Sequence, residues 1–106
     1  MSYATPNTLS ELYRRHGLAT GISATVMQLH EYAMAVSLMG RYHADADYQG
    51  ANHCVRLTIR TAPAGRLLSV DDIVLPRDDR PAAEAVNQLG AAIHRLTGYL
   101  MEGPLS

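Results

Sequence analysis

The chain of 106 residues contains no lysine, no phenylalanine, no tryptophan and a single cysteine. Each absence excludes something. One cysteine, Cys54, cannot close an internal disulfide, so the fold must rest on packing, and a reducing compartment such as the cytoplasm is expected. No apolar run approaches the about 18 residues that a membrane helix needs, and no basic-then-apolar leader is read at the N-terminus. A glycine-rich phosphate loop is missing, as is a serine elbow, and no motif places two carboxylates for acid and base work. Cys54 and His53 are neighbours in an alternating segment, which sends their side chains to opposite faces and disfavours a nucleophile and base pair. A non-enzymatic chain with no cofactor is therefore expected.

An excess of one charge sign is also lacking. Net charge is -1 at pH 7, which disfavours duplex nucleic acid as the main partner, because such a partner calls for a strongly positive face. All nine basic residues are Arg and the aromatic set is six Tyr. Codon usage of a GC-rich bacterial or phage genome accounts for the arginine, yet Arg and Tyr are also the side chains richest in protein-binding hot spots.

What is present is enough for one core. A 47% hydrophobic share with 18% charged residues lies in the ordinary range for a folded chain, and the length suits one domain over 1–106. Thr8-Leu9-Ser10-Glu11 matches a capping box, so a short helix is expected from there to Gly17, with Leu18 to Thr25 as a connector. Residues 26–39 carry two periods at once: Val26, Leu29, Ala33 and Val36 fit a helix, whereas Tyr32, Met34, Val36 and Leu38 alternate as in a strand. Their Ala, Met, Leu and Gln content, and a second capping box at Thr25-Val26-Met27-Gln28, favour helix; otherwise residues 31–39 supply a third strand.

Gly40 to Asn52 reads as a polar loop. Residues 53–61 and 67–75 read as a hairpin around Pro63-Ala64-Gly65, with Asp71-Asp72 as a bulge or early strand end. Asp79 and Pro81 open a final amphipathic helix, 80–101, with a seam of Ala82, Val86, Leu89, Ile93, Leu96 and Leu100. Beside it, Ala83, Gly90 and Thr97 form a line of small residues. The class is α+β: a small antiparallel sheet covered by an N-terminal helical part and the C-terminal helix.

Binding to another protein is the function this pattern favours, through Arg56 and Arg60 on the wet face of the first hairpin strand, with Arg41, Tyr42 and Tyr48 nearby. An inhibitor encoded by a phage or mobile element, of anti-CRISPR or anti-defence type, is its concrete form, and the C-terminal seam suits a homodimer. Two alternatives remain. His43, Asp45, Asp47 and His53 carry metal-ligating atoms, although not at the spacing of an established site. The run from Leu9 to Leu18 looks like the start of a helix-turn-helix regulator that would use Arg14 and Arg15, but few cations follow it.

Overall fold

A computed structural model describes residues 6–15, 18, 20–77 and 82–104. Three strands pair in sequence order as an antiparallel meander: β1 (Tyr42–Gln49), β2 (Cys54–Thr61) and β3 (Leu67–Val74). β2 is central, and its alternation separates two chemistries. Val55, Leu57 and Ile59 point inward and are fully buried, while Arg56 and Arg60 face water. Register continues the inner rows across the sheet, with Ala44 opposite Ile59 and Ala46 opposite Leu57 in β1, and Ile73 opposite Val55 in β3.

Helices α2 (Thr20–Met39) and α3 (Ala82–Met101) pack against each other on the inner face, α2 beneath β1 and α3 against β3. The short α1 (Pro6–Arg15) meets α2. Leu29, Ala33 and Val36 of α2 and Ala85, Leu89, Ala92 and Leu96 of α3 complete the core. Each fully buried Leu or Ile contributes about 1.5–3 kcal/mol of transfer free energy. Small residues at Ala33, Ala44 and Ala92 let the backbones lie close enough for those larger side chains to interlock.

Both sheet edges are managed. Ser37 on α2 donates its hydroxyl to the Ala44 carbonyl at 3.1 Å and accepts from the Ala44 N–H at 3.0 Å, so that β1 does not present these groups to another strand. On β3, the inward Asp71 pairs with Arg95 of α3, an edge charge that discourages pairing with a further strand.

The expected α+β layout and the hairpin hold, and residues 26–39 are helical. Several boundaries differ. The third strand is 42–49, inside the segment expected to be a loop, and not 31–39. Its core-facing positions are Tyr42, Ala44, Ala46 and Tyr48, and Ala beside Asp has low strand preference, so only pairing with β2 reveals the alternation. α2 begins at Thr20, five residues before the capping box at Thr25, which lies within the helix and donates its hydroxyl to the Gly21 carbonyl at 2.8 Å. Burial of Ile22 outweighs the weak helix preference of Gly21 and the β-branched residues around it.

α1 already runs at Thr8, so that residue is not its cap; its far end closes with a bond from the Leu18 N–H to the Tyr13 carbonyl at 2.8 Å. The conformations expected of Gly17, Asp79 and Pro81 fall on residues outside the described ones. The turn after β2 is closed by the Gly65 N–H to the Thr61 carbonyl at 2.8 Å, with Gly65 at φ 76°. Asp71 and Asp72 lie within β3, and the irregular register is at Ile59/Arg60 instead.

The seam of α3 departs in part from the expected one. Ala85, Leu89, Ala92 and Leu96 are buried, whereas Val86 is 49% exposed and Ala82 lies on the surface. Ile93 and Leu100 of the expected seam are partly buried against the core, and the close approach of α2 turns Ala85 and Ala92 inward beside them. The small line is not a contact line either: Ala83 and Gly90 are exposed, and a side chain at Gly90 would meet nothing within 4 Å. Leu89→Ala is expected to cost about 3 kcal/mol in denaturant unfolding, and Val86→Ala less than about 0.5 kcal/mol; equal costs would restore the original seam.

Candidate functional site

The five residues expected to contact a partner lie in three separate places. Arg56 and Arg60 are on the outer face of β2, which no helix covers. Arg56 donates Nε–H to Asp72 Oδ1 at 2.8 Å, with Nη2 at 3.4 Å from the other oxygen, and Asp47 stands opposite it on β1. Arg60 donates to the Gly65 carbonyl at 3.4 Å. Leu68, Val70 and Val74 of β3 are exposed beside this row.

Arg41 and Tyr42 sit at one end of the domain, holding the C-terminus of α3. Arg41 donates Nε–H to the Gly103 carbonyl at 3.1 Å, and Tyr42 packs on Tyr99 with ring centroids 4.5 Å apart. The Tyr42 hydroxyl donates to Glu102 at 2.8 Å, and this bond to the neutral phenol pushes its pKa up. Tyr48 lies at the other end of β1. There its hydroxyl meets His53 Nδ1 at 2.8 Å, and His53 Nε2 lies 3.0 Å from the Pro76 carbonyl. A carbonyl only accepts, so Nε2 carries hydrogen, and in the neutral ring Tyr48 donates to Nδ1. These bonds hold His53 at φ 49°, in the left-handed region that side chains seldom adopt.

The suggested metal ligands are divided in the same way. His43, Asp45 and Asp47 alternate on the outer face of β1, away from His53 in the turn, and among the described residues no three His, Cys, Asp or Glu converge. Cys54 is buried, while the His53 ring is engaged with Tyr48 and Pro76. Arg14 and Arg15 are exposed in the last turn of α1.

Two features that sequence reasoning did not single out are the larger ones. The first is the outer face of α2. In its 20 residues Glu31 is the sole Asp, Glu, Lys or Arg. Its inward row is core, and its outward row, Ala24, Met27, Glu31, Met34 and Leu38, is exposed, with Met27 at 63%, Met34 at 65% and Leu38 at 81%. A surface helix ordinarily turns charged and polar residues to water, and here three large apolar side chains stand among Gln28 and Glu31. The strand-like alternation in residues 26–39 is its trace in sequence, since Met34 and Leu38 belong to the exposed row and Val36 to the core.

The second is a half-open cavity of about 680 Å³ where α1, the first half of α2, the β1–β2 turn and the segment after β3 meet. Leu12, Leu18, Val26, Met27 and Leu75 supply apolar wall; Tyr13, Ser23, His30, Arg77 and the Tyr48–His53 pair supply polar groups. His30 bonds through Nδ1 to the Val26 carbonyl at 2.8 Å, which places hydrogen on Nδ1 and, in the neutral ring, leaves Nε2 with an open lone pair. Sequence reasoning could not assemble it, because its walls come from four segments distant along the chain.

Arg56 holds the Asp72 carboxyl below the usual aspartate pKa, chiefly through their hydrogen bond. Because the folded pKa is lowered, the pair's stabilisation is present at neutral pH and is lost as pH falls through the folded value. Arg56→Ala is expected to move the Asp72 titration midpoint, followed by carboxyl NMR, up towards the ordinary aspartate value; an unmoved midpoint would show that the pair does not persist in solution.

No family model matches the chain, and no curated protein or solved structure matches it.

Proposed function

We propose that this chain is a non-enzymatic protein-binding domain whose contact surface is the outer face of α2. The observation that carries this reading is the exposed row Ala24, Met27, Met34 and Leu38, interrupted by Glu31 and flanked by the exposed Gln28, on a helix whose opposite row already completes the core. Apolar side chains standing together on a surface lose free energy to water that a partner's apolar surface restores, at roughly 25 cal/mol per Å² covered. Methionine suits such a surface, since its flexible thioether adapts to the partner's contour.

The uncovered sheet face, with Arg60 opposite the exposed Leu67, is the weaker candidate, because Arg56 there is already engaged by Asp72. In this reading the domain acts by covering a surface of its target, in the manner of small anti-defence inhibitors such as anti-CRISPR proteins carried by phages and mobile elements, and works in the cytoplasm. That form is an analogy of class, drawn from size and near-neutral charge.

A photo-crosslinking residue placed at position 34 or at position 60, in cells that make the protein, distinguishes the two faces. A discrete heavier adduct with a different protein is expected from position 34. An adduct from position 60 alone, a self-adduct alone, or none from either site overturns the assignment to α2.

A further inference from the structure

The cavity at the α1 end of the domain has a composition that selects its occupant. Among the described residues, Arg77 is the single formally charged side chain on its wall, no Asp or Glu lines it, and Arg77 makes no ion pair. The remaining polar groups are differently committed. Tyr48 and His53 satisfy each other and the Pro76 carbonyl, which makes them wall in place of anchor. Leu12, Leu18, Val26, Met27 and Leu75 supply most of the wall, with Ser23 among them, and about 680 Å³ falls within the range of small-molecule sites.

An apolar chamber with one cation matches a ligand that has a hydrocarbon body and one anionic end. A guanidinium presents two parallel N–H donors, which is the geometry that a carboxylate accepts. We propose that the cavity binds an organic carboxylate with an unbranched or aryl hydrocarbon body, the body lying between α1 and α2 and the carboxylate on Arg77. His30, on α2, lies against the body and reports its arrival. This site is separate from the proposed partner surface except at Met27, which borders both.

Hexanoate, octanoate and decanoate, each below its micellar range, are titrated into the full chain by calorimetry and by NMR of the His30 ring, the Tyr13 ring and the methionine methyls. Saturable binding of one decanoate per chain is expected, with affinity rising about fourfold per methylene buried and with shifts at His30, Tyr13 and Met27. Arg77→Gln, at an exposed position, is expected to weaken decanoate about fivefold, and 1-decanol to bind the unmodified chain more weakly than decanoate. Leu12→Glu, which sets a carboxylate on the wall, is expected to weaken it further, with the melting temperature confirming that each variant folds. Met34→Glu, outside the cavity, is expected to leave decanoate binding unchanged, so that a failure of the α2 partner surface is not mistaken for a failure of the cavity. Absence of saturable binding, shifts confined to Met34 and the α2 surface, or equal binding by Arg77→Gln overturns the proposal.

Discussion

The inner row of β2 has to be covered, and the rest of the structure follows from how it is done. Val55, Leu57 and Ile59 are fully buried at the centre of a sheet only three strands wide. So narrow a sheet offers room for two helices side by side, and α2 and α3 fill it, touching each other as well as the strands. Alanines at the points of approach, Ala33, Ala44 and Ala92, allow Leu29, Leu89 and Leu96 to reach the β2 row. The same economy leaves the other sheet face bare, where Arg56 pairs with Asp72 of β3 and stands opposite Asp47 of β1, and Val70 and Val74 remain exposed.

With one layer of helices, each helix needs only one apolar face. α3 obeys this: its outward positions include Glu84, Asn87, Gln88 and Arg95. α2 carries three exposed large apolar residues with Glu31 as its one charge, whereas the exposed Val86 and Met101 of α3 stand apart at its two ends. The core explains Leu29, Ala33 and Val36; it does not explain Met27, Met34 and Leu38. The two ends of the domain differ as well. One is clasped by Tyr42, Tyr99, Glu102 and the Arg41 bond to Gly103, whereas the other holds the half-open cavity between α1 and the strand turns.

Much of the fold was legible in the sequence. The hairpin could be read because Val55, Leu57 and Ile59 alternate with Arg and Thr, and the last helix because its apolar spacing is regular over 20 residues. β1 could not, since Ala and Asp carry no strand preference of their own and its alternation matters only once β2 lies beside it. The α3 seam holds at Leu89, Ile93, Leu96 and Leu100 and fails at Ala82 and Val86, because the four-three spacing does not show that Ala85 and Ala92 also face the core. The site was less legible. Arg56 looked available until its partner Asp72 was seen across the sheet, Tyr42 until Glu102 was found over it, and the cavity had no local pattern at all.

The outer row of α2 is not part of what holds the domain together. Thermal unfolding of a Met34→Gln, Leu38→Gln double variant beside the unaltered chain tests it directly. A melting temperature equal to that of the unaltered chain is the predicted result, because both side chains stand in water. A fall comparable to that of Leu89→Ala would contradict it and return the row to the core.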